Sequence, residues 1–140
     1  MEINFESEGI ELPEIDYTKI RSWITEIARR HGKSVGTINY IFVDDNRILK
    51  VNRQFLQHDY YTDVITFDYS RRRTVSGDIY ISVETVASNA QGLVVDYITE
   101  LHRVIIHGVL HLLGIDDKGP GEREIMEKHE NEALNIFLAM

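Results

Sequence analysis

The sequence predicts an α+β fold in a single domain, residues 1–140, with a mixed sheet packed by about five helices. Two observations support this prediction. Short segments rich in β-branched residues alternate along the chain with longer segments whose apolar residues recur at helical spacing. Neither a repeat nor a linker nor a low-complexity tract interrupts the alternation, and interleaved strands and helices indicate a sheet covered by helices.

The first half of the chain is predicted to contain two helices with a strand between them. Residues 16–30 form the first helix, because their apolar side chains fall three and four residues apart between an aspartate cap and a glycine stop. The segment TINYIFVDD predicts a strand that ends near Val43. Asp44 or Asp45 then caps a short second helix.

The second half is predicted to contain a β-hairpin followed by three helices. DVITFDY and DIYIS are typical of strands, and SRRRTVSG between them predicts a hairpin loop with Gly77 at the turn. The three helical segments are VETVASNAQ, residues 95–113 and the tail after Pro120. Gly114 is expected to end the long helix, since glycine readily adopts the left-handed conformation found at many helix ends.

The composition excludes several kinds of protein and site. Because the chain has no cysteine, a disulfide framework and a thiolate metal site are excluded, and a metal ion would be held by His, Asp, Glu or water. No apolar run approaches the roughly 20 residues of a membrane span, and the acidic start MEINFESEGIELPEID is unlike a signal peptide. We therefore expect a cytoplasmic protein with no membrane partner. The net charge of −8 argues against a purely electrostatic nucleic-acid binder, so an anionic substrate would need a local basic patch or a bound cation.

The segment HGVLHLLGIDD, residues 107–117, carries the strongest chemical signal. His107 and His111 lie four residues apart on one predicted helix, so their rings point from the same face. Gly114 lets the chain leave the helix sharply, so that Asp117 can return beneath the two rings. Two imidazoles, a carboxylate and one open position are the layout of a catalytic zinc site, although two histidines at this spacing also occur by chance.

This spacing is similar to that of metallopeptidases with the motif H-E-x-x-H, in which the glutamate is the general base. Here that position is Gly108, which has no side chain to accept a proton, so a protease mechanism is disfavoured even if the metal ligands persist. The remaining histidines have no comparable neighbours in the sequence. They are interpreted as surface or hydrogen-bonded residues: His31, His58, His102 and His129.

Three segments together resemble the YbeY family of bacterial metal-dependent endoribonucleases. HGVLHLLGIDD is similar to the family pattern H-G-x-L-H-L-x-G-Y-D-H. TDVITFDY, residues 62–69, is similar to T-D-V-L-S-F-P, and GDIYIS, residues 77–82, is similar to G-D-I-x-I. The segments occur in the family's order and spacing, and the likeness spans most of the chain.

The resemblance implies a four-stranded mixed sheet and a metal cleft at the C-terminal end of the long helix. It implies a single-strand-specific endoribonuclease that matures the 3′ end of small-subunit 16S rRNA and acts in ribosome quality control. The implied partners are single-stranded RNA, ribosomal RNA and the small ribosomal subunit, with no DNA partner. One divalent ion per chain, zinc by the family's usual assignment, would be held by His107, His111 and Asp117. Asp116 is a candidate catalytic proton carrier, the favoured alternative being that it fixes the turn through backbone amides.

Several positions depart from the family pattern. Asp117 stands where the family has a third histidine, and Leu56 stands where it has an arginine associated with RNA contact. Other side chains are therefore candidates for RNA binding: Arg53, His58, Arg71, Arg72, Arg73 and Arg103. For the three consecutive arginines the alternative is a solvated loop tip. Tyr60 and Tyr61 can stack on bases, but packing against the following strand is the favoured interpretation.

Two further interpretations stay open at this point. Glu100, seven residues before His107, is either a hydrogen-bond acceptor for a ligand histidine or, as favoured here, an acid on the helix surface. The function itself has alternatives, because a fold does not fix a function. The protein is either the nuclease described above, a ribosome-assembly factor with a weakly active or structural metal site, or a metal hydrolase of another substrate.

Overall fold

The computed structural model describes residues 1–57 and 62–140 and confirms the α+β fold, with a four-stranded mixed sheet and, in these residues, five α-helices. In chain order the elements are β1 (Glu2–Ser7), α1 (Tyr17–Arg30), β2 (Ser34–Val43), α2 (Asp45–Val51), β3 (Val64–Asp68), β4 (Thr74–Ser82), α3 (Val83–Leu93), α4 (Tyr97–Leu112) and α5 (Glu122–Ala139). A π-helical turn, Asn52–Leu56, continues directly from α2. Within the described ranges, no helix is long and apolar enough to cross a bilayer.

The strands follow the order β1-β2-β4-β3 across the sheet. β2 runs parallel to both β1 and β4, whereas β3 and β4 form an antiparallel hairpin. Tyr40 of β2 lies opposite Ile79 of β4, and Ile79 in turn lies opposite Thr66 of β3. β1, which the sequence pattern did not predict, forms one edge of the sheet.

The predicted starts of the first two helices are confirmed by their caps. At α1 the Asp16 carboxylate accepts a hydrogen bond from the Lys19 backbone N–H at 3.0 Å. At α2 the Asp44 carboxylate accepts one from the Arg47 backbone N–H at 2.9 Å, so Asp44 rather than Asp45 is the cap. Both contacts satisfy an N–H group that the first helical turn leaves without a partner.

The hairpin between β3 and β4 corrects the predicted position of its turn. Gly77 lies inside β4, opposite Asp68, and not at the turn. The chain reverses instead between Arg71 and Thr74, whose backbone N–H and C=O groups bond to each other at 2.9 Å in both directions. Arg72, within this turn, has a left-handed φ of 54°, which the primed turn types typical of tight hairpins require at this position. The prediction failed because a glycine was taken as a turn signal where it serves close packing.

Two glycines allow α4 to lie directly against the sheet. A Cβ atom on Gly77 would overlap the backbone oxygen of Phe67 and lie 2.8 Å from Leu112 Cδ2 of α4. A Cβ atom on Gly108 of α4 would lie 2.9 Å and 3.0 Å from two carbons of Ile79 on β4. All three distances are shorter than non-bonded carbon atoms tolerate. The glycines therefore fix how closely the helix that carries the two histidines approaches the sheet.

α5 is held against α1 through the buried ring of Trp23. The indole Nε1–H donates a hydrogen bond to the backbone carbonyl of Ala133 at 2.8 Å. The ring of Phe137, one turn further along α5, meets the indole edge to face with centroids 4.7 Å apart. An aromatic pair of this geometry adds stability beyond the area it buries. α5 is thus fixed to α1 through Trp23, and it packs on α4 as well.

Candidate metal centre

The group predicted from the sequence assembles where α4 ends. His107 and His111 project from the last turns of α4, and Gly114 follows with a φ of 96°. The Gly114 N–H bonds to the His111 carbonyl, and the Ile115 N–H bonds to the Leu110 carbonyl, both at 3.0 Å. These two bonds form a Schellman motif, which turns the chain back on itself.

The three side chains lie close enough to hold one ion. Asp117 Oδ2 lies 3.4 Å from His107 Nε2 and 3.5 Å from His111 Nε2. The three ligand atoms all lie within 4.8 Å of one another. An ion bound tetrahedrally at about 2.05 Å holds its ligand atoms about 3.3 Å apart. The donor set of two imidazoles and one carboxylate therefore fits a divalent metal ion in both chemistry and spacing.

The charges around the two histidines favour a cation between them. Burial opposes a proton on His107, but its hydrogen bond with Glu130 and the charges of Glu130, Asp117 and Asp63 raise its pKa overall. Burial lowers the pKa of His111, and the neighbouring His107 lowers it further. The carboxylates that favour positive charge on His107 favour a bound metal ion for the same electrostatic reason.

A second carboxylate contacts the group from α5. Glu130 Oε2 lies 2.6 Å from His107 Nδ1, on the side of the ring opposite Asp117. Sequence reasoning missed Glu130, because it lies 23 residues from His107 and in no shared motif. One signal was present, since Glu130 falls on the same buried stripe of α5 as Met126, Ala133 and Phe137. A carboxylate in the core-facing row of a helix is rarely without a partner.

A cleft of about 950 Å³ opens beside His107 and Asp117. Its charged lining includes Asp63, Glu100, Arg103, Lys118, Arg123, Glu127 and Glu130. Glu100 is only 6 % exposed, so the interpretation as a surface acid is wrong, and the acceptor for His107 is Glu130. Burial raises the pKa of Glu100, although Arg103 acts against the shift. Burial likewise raises the pKa of Asp63, with His107 acting the other way.

The candidate RNA-binding residues are not gathered in one place. Arg103 lines the cleft, where its two terminal nitrogens donate hydrogen bonds to Glu130 and Asn131. The exposed arginines of the hairpin turn, 71–73, do not line the cleft, and neither does Arg53, which is exposed on the π-helical turn. The candidate His58, together with Tyr60 and Tyr61, lies outside the described residues.

Of the remaining residues, Asp116 lies next to the centre, whereas the histidines His102 and His31 have other partners. Asp116 is exposed beside the candidate ligand Asp117, and its charge acts to raise the pKa of His111. His102 packs against Phe137 with ring centroids 4.4 Å apart, and the Nδ1 of His31 bonds to a backbone carbonyl. Among the residues that the structure describes, the possible metal ligands that cluster are His107, His111 and Asp117.

Comparison with known proteins assigns the family. A family model described as Endoribonuclease YbeY matches residues 2–138 of the chain. The chain belongs to the YbeY family. The likeness of the three sequence segments to YbeY patterns is thereby confirmed over almost the whole chain.

Relatives in the YbeY family match the chain over nearly their full lengths. A Phocaeicola vulgatus protein named Endoribonuclease YbeY is 58 % identical over 135 residues, covering 96 % of this chain and 98 % of the relative. A Parabacteroides distasonis protein of the same name is 57 % identical over 137 residues, covering 98 % and 96 % respectively. The solution structure of a Thermotoga maritima protein is 27 % identical with a TM-score of 0.65, covering 98 % of this chain and 92 % of that one.

Proposed function

We propose that this protein is a zinc-dependent, single-strand-specific endoribonuclease that matures the 3′ end of 16S rRNA and acts in ribosome quality control. Membership of the YbeY family supports hydrolysis of RNA phosphodiester bonds. The observation that carries the metal dependence is the approach of Asp117 Oδ2 to the Nε2 atoms of His107 and His111. Ribosomal RNA and the small ribosomal subunit are the proposed partners, and the cytoplasm is the proposed location.

The residues of the centre have distinct parts in the proposed reaction. His107 and His111 present Nε2 and Asp117 presents Oδ2, and these three atoms would hold the ion. When bound, the ion supplies a Lewis acid that makes water more acidic and stabilises negative charge on a phosphate. Gly108 leaves the position of a protease's general base without a side chain, so the exposed Asp116 is proposed as the proton carrier.

The cleft beside the ion offers a path for an RNA strand on a chain that is acidic overall. Arg103, Lys118 and Arg123 line it beside five carboxylates, so a bound ion would supply part of the positive charge that an RNA strand requires. Phosphate contacts by such side chains are sequence-independent and weaken with salt. The side chains proposed to bind RNA are Arg53, His58, Arg71, Arg72, Arg73 and Arg103. Those away from the cleft would contact the parts of a longer strand that extend beyond it.

A second function, that of a ribosome-assembly factor with a weakly active metal site, has one observation in its favour. Leu56 occupies the position of the family's arginine and is 40 % exposed. An exposed leucine cannot bind a phosphate. Arg103, a candidate replacement, is bonded to Glu130 and Asn131 in this structure.

One experiment separates the two functions. Untagged protein is analysed for metal, loaded with zinc and incubated with single-stranded and duplex RNA of the same sequence. The nuclease proposal expects one ion per chain and cleavage of the single strand, with both lost in His111→Ala and kept in the control His129→Ala. Zinc-loaded protein that binds small subunits but leaves the single strand intact would establish the assembly factor instead.

A further inference from the structure

The His107 ring has both nitrogens engaged, and the two contacts differ in kind. Nε2 faces the metal centre, 3.4 Å from Asp117 Oδ2, whereas Nδ1 lies 2.6 Å from Glu130 Oε2. A neutral imidazole carries one proton, and an ionised carboxylate can only accept a hydrogen bond. The contact with Glu130 therefore places the proton on Nδ1 and leaves the lone pair of Nε2 directed at the centre.

Glu130 is itself held in a fixed orientation. Its side chain is only 10 % exposed, and its two oxygens have different partners. Oε2 accepts from His107, and Oε1 accepts from Arg103 Nη1 at 2.9 Å. Arg103 also donates from Nη2 to Asn131 Oδ1 at 2.8 Å, which ties it to the residue next to Glu130. These bonds hold the buried carboxylate in one orientation.

The two histidines are supported unequally. Arg103 and His107 lie one turn apart on α4, and both contact Glu130 on α5, so the contacts join two helices. For His111, the described residues supply Asp117 at Nε2 and the His107 ring, with centroids 4.5 Å apart, but no hydrogen bond to Nδ1. Its ring is also more exposed than that of His107, at 27 % against 18 %. Among the described residues, the fold therefore supports the outer nitrogen of His107 and not that of His111.

We propose that Glu130 is a positioning residue that sets the tautomer and orientation of His107, and that Arg103 positions Glu130. This inference rests on the proposed metal site and assigns Arg103 a part that does not require RNA. A carboxylate bonded to the outer nitrogen of a ligand histidine fixes the ring and strengthens it as a ligand. Its removal should therefore weaken metal binding even where no substrate is present.

Zinc affinity of the full chain, measured without RNA by competition with a zinc-binding dye, tests the first part. Glu130→Ala should weaken binding by about 10–100-fold. Glu130→Gln should weaken it less, because the amide oxygen still accepts from Nδ1 but carries no charge. Glu127→Ala is the matched control, since Glu127 is an exposed acid of the same helix and cleft, and its affinity should match that of the wild type.

A double-mutant cycle tests the part of Arg103. Arg103→Ala should weaken zinc binding in the wild-type background and have no further effect in Glu130→Ala, because it acts through Glu130. An equal loss in both backgrounds would overturn the assignment of Arg103. Circular dichroism of each metal-free variant shows whether it is folded, and the nearly isosteric Glu130→Gln keeps the test valid if the alanine variant is not.

The protonation of the His107 ring provides a readout that a merely structural contact would not change. In nitrogen-edited NMR spectra of the zinc-loaded protein, a slowly exchanging proton should appear on His107 Nδ1 and persist in Glu127→Ala. It should exchange rapidly in Glu130→Ala. Wild-type protein that binds zinc no more tightly than Glu130→Ala would overturn the inference, whereas wild-type protein that binds no zinc would overturn the metal site itself.

Discussion

α4 presents one face to the sheet and another to the cleft, and the two faces are stabilised in different ways. The sheet face fits by shape. Gly108 packs against Ile79, and Leu112 packs against Gly77, so closely that neither glycine has room for a Cβ atom. One buried hydrogen bond, from the Tyr40 hydroxyl of β2 to the Ile105 carbonyl at 2.8 Å, adds to this fit, and a single added carbon atom would force the helix or its neighbours to move.

The cleft face depends on charged partners from other parts of the chain. His107 meets Glu130 of α5 and Asp117 of the turn after α4, and Arg103 meets Glu130. The difference explains why a glycine, and not a general base, follows the first of the two candidate ligand histidines. Gly108 follows His107 in sequence but points to the sheet, where there is no space for a general base.

The largest expected effect comes from placing the protease residue on the sheet face. Gly108→Glu adds a Cβ atom 2.9 Å from Ile79 and directs a carboxylate into the core. Overpacking together with an unpaired buried charge should cost more than about 4 kcal/mol and prevent stable folding. Urea denaturation followed by circular dichroism measures this. Gly92→Glu on α3, where a Cβ meets open space, is the control and should remain folded; equal stability of the two variants would refute the steric argument.

On the cleft face, removal of a ligand should abolish tight metal binding while the fold persists. Asp117→Ala leaves two histidines, so zinc affinity should fall by more than about 100-fold, beyond the loss typical of contacts that only support a ligand. Dye competition and metal analysis after dialysis are the measurements. Asp116→Ala removes the neighbouring charge as a control, and equal losses in both variants would indicate a general charge effect rather than a ligand.

A milder change exchanges the ligand type. Asp117→His should retain the ion, because the family pattern has histidine at this position. Nitrogen is a softer donor than carboxylate oxygen, so the variant should prefer zinc over manganese more strongly than the wild type does. Competition between the two metals, with bound metal quantified by mass spectrometry, measures the preference. Loss of the ion from Asp117→His would mean that this position does not serve as a ligand.

The smallest effect is expected at Glu100, the buried acid of the cleft face. Burial raises its pKa above the ordinary value, so its charged form destabilises the folded protein. Any stability gained from the neutral form is present at acid pH and is lost as the pH rises through the raised pKa. Glu100→Gln should therefore match the wild type near pH 4 and exceed its urea midpoint near pH 8. If the difference in urea midpoint between the two proteins did not grow with pH, burial would not be the cause. The charged groups to examine next would then be Asp63, Arg103 and Glu130.

The sequence predicted the sheet face and the local part of the site because both follow from patterns along one element. The apolar spacing of α4 and the stop at Gly114 predicted the helix, and the spacing from His107 to Asp117 predicted that three candidate ligands would lie close together. The hairpin turn was predicted wrongly at Gly77, because a glycine is equally typical of a turn and of close packing. Only the position of Leu112 decides between the two.

Glu130, the partner that α5 contributes to the cleft face, was beyond such reasoning, because it comes from an element distant in sequence. Glu130 reaches His107 only after α5 has packed on α4, and the buried stripe of α5 marks Glu130 as core-facing without identifying its partner. The end of α3 is another feature that the sequence could not predict. Val94 adopts a left-handed φ of 54° where glycine is usual, so the helix end gave no residue-type signal.

The only tryptophan of the chain gives this protein an optical reporter of its own. Trp23 is fully buried, and its indole bonds to Ala133 of the helix that also carries Glu130. Departure of α5 would expose the indole to water and shift its fluorescence emission to longer wavelength. The emission maximum therefore reports, without any label, whether the helix that supports His107 is in place.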